Sequence, residues 1–125
     1  MTIFTILVIC LTKKLSTYFN LCDVFCMPSR YEAYGLVFVE ALIYGLPVIA
    51  RNAFEMSYFV QEGKNGHLLE CDESQELAKI MYETICDHTM IEFVKNNREV
   101  YIKEYSWDTV AERILKVMEE DRRKR

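Results

Sequence analysis

The 125-residue sequence predicts an α/β fold in which a short parallel sheet is flanked by helices. Three observations support this prediction: strand-length apolar segments alternate with segments of helical period, half of the residues are hydrophobic, and the chain contains no repeat or linker. Alternating strands and helices favour parallel strands joined by right-handed crossovers. Because a chain of this length can bury one core, we expect residues 1–125 to form one domain.

The charge balance of the chain argues against two classes of partner. With 51% hydrophobic and 27% charged residues, the chain is expected to be soluble and folded. Its net charge of -4 gives no general attraction to nucleic acid or to an anionic membrane. The basic cluster at 122–125 is interpreted as a solvated helix end, with a membrane or partner contact as the alternative.

The cysteines favour a reducing, cytoplasmic compartment. Their number is odd and most lie in apolar segments, so we expect reduced and mostly buried thiols. The five are Cys10, Cys22, Cys26, Cys71 and Cys86. No pair of cysteines has the spacing of a zinc-binding motif, and no Cys or His pair completes such a site, so no metal is expected.

The amino-terminal segment 1–11 is almost wholly apolar. It is too short to span a bilayer. Its lysines follow the apolar run, whereas a signal peptide carries positive charge before it. We therefore expect a buried strand over 3–10 and no transmembrane segment.

The next elements are predicted to be a helix, a strand, a helix and a strand. Apolar residues recur at helical spacing over 13–21, which leads into a buried strand over 23–27. The helix over 36–44 is apolar on nearly all sides, which indicates burial between the sheet and its neighbours. Gly45 suits the position after this helix, and a proline two residues later starts a short strand over 47–50.

The second half of the chain predicts one more strand and four more helices. The elements before the last helix are a two-turn helix at 55–62, a turn at 63–66, a strand at 67–70, and helices at 73–86 and 90–103. Ser106 is the expected N-cap of the last helix, and Trp107 is expected to anchor it in the core. The apolar stripe of this helix consists of Val110, Ile114, Leu115, Val117 and Met118.

The polar loop over 28–35 contains the candidate site. A helix that begins near Gly35 or Leu36 leaves its first N–H groups unpaired, and these donors together with the helix dipole favour an anion such as phosphate. Gly35 lacks a Cβ atom, so the turn can adopt positive φ and a ligand can approach the backbone. Glu32 lies just before the helix and Glu40 about one turn inside it, and ionised carboxylates suit hydroxyl donors such as those of a sugar.

At these residues the sequence resembles the retaining nucleotide-sugar glycosyltransferases of the GT-B fold, in their carboxyl-terminal, donor-binding domain. The match is the family's pattern of two glutamates separated by seven residues, Glu32 and Glu40. It is framed by Pro28-Ser29, Gly35-Leu36 and Gly45-Leu46-Pro47-Val48. The similarity covers residues 14–120 and includes the segments 62–69 and Tyr105-Ser106-Trp107.

The resemblance implies a partial Rossmann-like domain, the carboxyl-terminal half of a GT-B enzyme. It implies transfer of a hexose, with retention and without a bound metal or cofactor, from a UDP- or GDP-linked sugar to a glycan, lipid or small acceptor. Carried over to this chain, Glu40 would bind the ribose hydroxyls and Glu32 would lie near the transferred sugar as the catalytic residue. The backbone N–H groups of Gly35, Leu36 and Val37 would bind the diphosphate.

The chain also departs from the family pattern. The resemblance covers only the later part of the donor domain, and the acceptor domain and an upstream Arg–Lys pair that binds the diphosphate have no counterpart. A separate acceptor-binding domain or chain is therefore implied as a partner. Where many relatives have a Gly-Gly turn and then a Glu, this sequence has Phe54-Glu55 and Tyr58, which leaves the sugar and nucleotide preference open.

Two other interpretations of the whole chain remain open. The first is a truncated, non-catalytic domain that binds a nucleotide sugar, or a subunit completed by another chain, since the last helix normally packs toward the other domain in this family. The second is a flavodoxin-like regulatory module, which would need acidic metal ligands at strand ends and finds only Asp23. For the single residues, the alternatives are a loop-capping carboxylate at Glu32 and a surface residue at Glu40.

Overall fold

The computed structural model describes residues 12–124, which form three strands and seven helices. In chain order the elements are α1 (Thr12–Leu21), β1 (Phe25–Met27), α2 (Leu36–Ile43), β2 (Val48–Arg51), α3 (Met56–Phe59), β3 (Gly66–Leu69), α4 (Ser74–Cys86), α5 (His88–Asn96), α6 (Arg98–Glu104) and α7 (Trp107–Lys124). The strand predicted over 3–10 lies outside the described residues. No helix within 12–124 is both long enough and apolar enough to cross a membrane.

The three strands form one parallel sheet in the order β1-β2-β3. Ala50 of β2 is paired with Met27 on one side and with Leu68 on the other. The predicted α/β fold with a short parallel sheet is thereby confirmed. Because the strands are parallel, the loops that follow them all leave the sheet at the same end, which we call the carboxyl edge.

Strand β1 is shorter and less buried than the sequence predicted. Pairing begins only at Phe25, whose N–H donates to the carbonyl of Pro47 at 2.9 Å. Asp23 is exposed in a bend and makes no pair with β2. The chain before Pro47 belongs to the turn after α2, so no strand lies beside 23–24 to extend the ladder.

The core lies between the sheet and α2, and α3, α5 and α6 contribute to it. It contains Phe38, Leu42, Val48, Ala50, Met56, Val94 and Tyr101 among others. The prediction that α2 is buried on nearly all sides is wrong for one face, where Leu36 and Glu40 are exposed. Gly45 ends α2 as predicted, with φ 86°.

The helix predicted over 55–62 is reduced to the single turn of α3. Val60 is already extended, with φ -99° and ψ 117°. The buried amide of Asn65 donates to the carbonyl of Phe59 at 3.0 Å and accepts the N–H of Gln61 at 2.7 Å. These two hydrogen bonds replace the ones that a further helical turn would have made.

The single helix predicted over 90–103 is two helices that meet at Asn97. The side chain of Asn97 donates to the carbonyl of Phe93 at 2.8 Å, and its backbone N–H also bonds there at 3.1 Å. This local bonding competes with continuation of the helix. The first of the two helices begins earlier than predicted, because Asp87 caps it by accepting the N–H of Met90 at 2.9 Å.

Helix α7 has the predicted N-cap but not the predicted packing. Ser106 accepts the N–H of Thr109 at 3.2 Å. Trp107 is 87% exposed, so its expected role as a core anchor is wrong. None of the residues of α7 is buried, and four of the five stripe residues are exposed because α7 contacts the described part of the chain mainly through α6.

The prediction of mostly buried thiols also fails in part. The four described cysteines are free, and Cys22 and Cys86 are exposed near the ends of their helices. Cys26 and Cys71 are only partly buried. For Cys26 in β1, burial raises the pKa of the thiol to about 11.

Candidate functional site

The candidate site lies at the carboxyl edge, where the loop after β1 enters α2. The helix begins at Leu36, and Gly35 is its N-cap with φ 64° and ψ 24° in the left-handed region. A Cβ atom at Gly35 would lie 3.1 Å from ring atoms of both Phe38 and Phe59. The position therefore requires glycine for its backbone conformation and for its space.

The amino terminus of α2 presents two open backbone donors. Leu36 and Val37 are the first two helical residues, so their N–H groups have no carbonyl one turn earlier to bond. The next N–H, of Phe38, donates to the carbonyl of Gly35 at 3.0 Å. Two unpaired donors at the positive end of a helix dipole form a surface suited to an anion.

Glu32 is bonded within the loop. One of its carboxylate oxygens, Oε1, accepts the N–H of Ala33 at 3.2 Å and the N–H of Gly35 at 3.4 Å. The side chain is half-buried. Of the three backbone donors named from the sequence, the N–H of Gly35 is thus engaged by Glu32, while those of Leu36 and Val37 have no partner among residues 12–124.

Glu40 lies on the exposed face of α2, four residues after Leu36 and on the same side of the helix. Its carboxylate has no hydrogen-bond or ion-pair partner among residues 12–124. The rise from Leu36 to Glu40 is about 6 Å along the helix axis. The structure therefore places Glu32 at the helix entry and Glu40 about one turn further along, without a contact between them.

The loops after the three strands are tied together by charged and polar side chains. Arg51, the last residue of β2, bonds Asp72 in the loop after β3, and Arg30 in the loop after β1 lies 3.6 Å from the same carboxylate. The hydrogen bond from Arg51 lowers the pKa of Asp72. Asn52 donates to Glu70 at 2.8 Å. Since exposed ion pairs add little stability, we interpret this network as fixing the relative position of the loops.

The sequence did not predict this network of loop side chains, although polar residues after two of the predicted strands are a signal for it. Arg51 and Asp72 each follow closely on a predicted strand. The carboxyl ends of neighbouring parallel strands meet at one edge of a sheet, so polar residues at two such ends are expected to be close.

Two exposed aromatic residues also meet across the carboxyl edge. Tyr31 and Phe54 are 74% and 60% exposed, and their rings contact edge to face with centroids 5.6 Å apart and planes at 70°. Among the described residues, Phe54 is the one non-glycine residue with positive φ, at 51°. This conformation costs an L-residue about 1–2 kcal/mol. The turn thus has a backbone that suits glycine, as at the Gly-Gly turn of the resembled family, but carries a phenylalanine side chain.

No group of three or more His, Cys, Asp or Glu side chains suited to a metal ion occurs within residues 12–124. Asp23, the one acidic residue that favoured a regulatory module, is exposed beyond the amino-terminal end of β1. It therefore lies at the opposite end of that strand from the candidate site. The absence of a bound metal stays a prediction.

Residues 6–99 of the chain match the family model of the glycosyl transferases group 1. This chain belongs to that family. The matched range includes the loop after β1, all of α2, and the loops after β2 and β3. The resemblance to glycosyltransferases is thereby confirmed, while the roles of Glu32 and Glu40 stay predictions.

Curated relatives of this group 1 chain share moderate identity with more than half of it. An uncharacterized 41.2 kDa protein in the cps region of Klebsiella pneumoniae is 42% identical over 69 residues, which is 55% of this chain and 19% of that protein. Phosphatidyl-myo-inositol mannosyltransferase of Mycobacterium leprae is 31% identical over 99 residues, 78% of this chain and 26% of the relative. The group 1 chain therefore spans about a fifth to a quarter of the length of these two relatives.

Solved structures show the same fold. The Anabaena protein HepE in complex with UDP superposes with a TM-score of 0.71 at 30% identity, over 82% of this chain and 29% of that one. HepE in complex with UDP and glucose superposes with a TM-score of 0.69. The group 1 chain thus has the predicted partial Rossmann-like architecture of the GT-B glycosyltransferases.

Proposed function

We propose that residues 1–125 form the donor-binding part of a retaining hexosyltransferase. The substrate is a nucleoside diphosphate hexose linked to UDP or GDP, and the acceptor is a glycan, lipid or small molecule held by a separate domain or chain. The observation that carries the proposal is the open amino terminus of α2 at the carboxyl edge, with Gly35 in the left-handed conformation and a glutamate on either side.

The diphosphate is proposed to bind the N–H groups of Leu36 and Val37. Both donors are open, and the helix dipole stabilises negative charge there by about 0.3–2 kcal/mol. The arginines of the carboxyl edge, Arg30 and Arg51, both pair with Asp72. Because the leaving nucleoside diphosphate develops more charge than a helix terminus alone stabilises, we propose that the partner domain or chain supplies further cations.

Glu40 is proposed to bind the ribose. Its carboxylate is exposed and has no partner among the described residues, so it can accept hydrogen bonds from two neighbouring hydroxyl groups. Glu32 is proposed to lie at the transferred hexose as the catalytic residue. Its Oε1 atom holds the loop through Ala33 and Gly35, which leaves Oε2 for a sugar hydroxyl.

The solved relatives support this assignment of ligands. HepE has been crystallised with UDP, with UDP-glucose, and with UDP and glucose. Over 82% of the present chain, the two sequences are 30% identical. The mannosyltransferase of Mycobacterium leprae supports transfer of a hexose. Retention and the class of acceptor rest on the family resemblance and on this proposal.

The test is a calorimetric titration of the folded chain with UDP, GDP and their glucose, galactose, N-acetylglucosamine and mannose conjugates. We expect binding, and a loss of affinity of about ten- to a hundredfold in Glu40→Ala, since hydrogen bonds to a charged group are removed. Glu92→Ala, at an exposed glutamate of α5, is the matched control and should bind normally. If a sample shown to be folded by circular dichroism binds no nucleotide, the proposal is wrong.

A second candidate function is a non-catalytic nucleotide-sugar-binding subunit. It is favoured by the exposed apolar stripe of α7, which is suited to contact with another domain or chain. This candidate predicts binding of the same ligands without turnover by the chain alone. Transfer of a hexose to a defined acceptor by the purified chain would refute it.

A further inference from the structure

The contact between Tyr31 and Phe54 is not explained by the packing of the fold. Both rings are mostly exposed, so their burial contributes little to stability. Phe54 also keeps a left-handed backbone conformation, with φ 51°, that disfavours any side chain. A residue that is both strained and exposed contributes little to the stability of the fold, and strained residues cluster at functional sites.

The geometry points to a role for this pair as a platform for the hexose of the donor. This inference rests on the proposed function, because it names the contact that the transferred sugar makes at the same site. A hexopyranose presents C–H groups on its ring face and hydroxyl groups at its rim. The negative face of an aromatic ring attracts the C–H groups, while nearby polar side chains bind the rim.

The position of the pair favours the sugar over the nucleobase as the bound group. Tyr31 directly precedes Glu32, which is proposed to lie at the hexose, whereas Glu40 at the ribose is about one turn further along α2. Arg30 and Asp72 meet beside the same loops and offer donors and acceptors to the sugar rim. The polar groups that a hexose needs are therefore at the end of the site where the two rings lie.

The angle between the rings supports the same assignment. At 70° the two rings enclose a corner rather than a parallel slot. A flat nucleobase stacks best on a parallel ring. A puckered hexose can place its C–H face on one ring of a corner and its edge against the other.

The experiment compares each nucleotide with its sugar conjugate, using UDP with UDP-glucose and GDP with GDP-mannose. Phe54→Gly removes the ring and retains a residue that suits positive φ, so the loop should keep its conformation. We expect this variant to lose about three- to tenfold in affinity for the conjugate that the chain binds, and less than about twofold for the nucleotide alone. Phe54→Tyr keeps the ring and should bind both as the unsubstituted chain does.

Tyr82→Ala is the matched control, since Tyr82 is 71% exposed. It lies about 12 Å along α4 from the first residue of that helix, which starts near the carboxyl edge. This variant should bind every ligand normally. Equal losses for nucleotide and conjugate in Phe54→Gly would overturn the inference, as would no loss at all. If the unsubstituted chain binds neither nucleotide nor conjugate, the proposed function itself fails and the inference falls with it.

Discussion

Replacing Gly35 with alanine tests the entry to α2, on which the candidate site depends. Gly63 offers a matched control, because its φ of 70° is close to the 64° of Gly35. A Cβ atom at Gly63 would meet nothing within 4 Å, whereas one at Gly35 would lie 3.1 Å from ring atoms of Phe38 and Phe59. The two substitutions therefore share the conformational penalty and differ in the steric one.

The magnitudes follow from this geometry. A left-handed alanine costs about 1–2 kcal/mol at either position. The ring of Phe38 is fully buried and has little room to move, so we expect overpacking at Gly35 to add about 1–3 kcal/mol. The free energy of unfolding should then fall by about 2–5 kcal/mol in Gly35→Ala and by about 1–2 kcal/mol in Gly63→Ala.

Urea denaturation followed by circular dichroism measures both losses. The midpoint should shift more in Gly35→Ala, with an unchanged dependence on denaturant in both variants. Equal shifts would mean that the two phenylalanine rings move aside without cost. In that case the claim that the loop requires glycine for space would be wrong.

Four further predictions concern other residues. Phe54→Gly should raise the free energy of unfolding by about 0.5–1 kcal/mol in urea denaturation, because relief of the strained φ outweighs the larger conformational entropy that glycine loses on folding. A decrease would show that the ring stabilises the fold. At pH 8 iodoacetamide should modify the exposed Cys22 at least about tenfold faster than Cys26, because the thiolate is the nucleophile and the raised pKa of Cys26 leaves little of it ionised. Mass spectrometry measures both rates, and equal rates would contradict the partial burial of Cys26. Burial raises the pKa of Cys26 from 9.0 to about 11, so the protonated thiol contributes fully to stability below pH 9.0, and this contribution is lost as the pH rises toward 11. The free energy of unfolding should therefore decline less over that range in Cys26→Ala than in the unsubstituted chain. Asn65→Ala should lower the free energy of unfolding by about 1–3 kcal/mol, because the two hydrogen bonds of its buried amide are lost, and a loss no larger than that of an exposed asparagine such as Asn96 would contradict this role.

The part of the fold that the sequence predicted well is the unit from β1 to β2. Its signals are local: Gly35 and Gly45 adopt positive φ at the two ends of α2, and the residues between them are apolar apart from Glu40. A conformation that only glycine adopts easily can be inferred from the residue itself. For the same reason the start of the helix, and with it the position of the candidate anion site, could be inferred from the residues alone.

The helix limits in the second half depended on side chains that compete with the backbone. The amides of Asn65 and Asn97 each take a carbonyl that the helix would otherwise use. Periodicity records only which residues are apolar, so it extended one predicted helix to residue 62 and the other through Asn97. Hydrogen bonding by a single amide decides such a boundary and leaves no trace in the hydrophobic pattern.

The parts of the candidate site that are close in sequence were predictable, but the contacts between distant residues were not. Glu32, Gly35 and Glu40 lie within nine residues of one another, and the sequence identified them. The bond from Arg51 to Asp72 joins the end of β2 to the loop after β3, and the two residues are 21 apart in sequence. The contact between Tyr31 and Phe54 likewise depends on the pairing of β1 with β2, which brings residues distant in sequence to one edge of the sheet.

The exposed surface of α7 has a consequence for how stability is distributed along the chain. No side chain of α7 is buried by the described part of the chain. The helix is held by its own backbone hydrogen bonds, the cap at Ser106 and a short contact with α6. An isolated helix of 18 residues is only marginally stable in water. We therefore expect α7 to open locally more often than the whole domain unfolds, and a domain that docks on its apolar stripe would use part of its binding free energy to hold the helix closed.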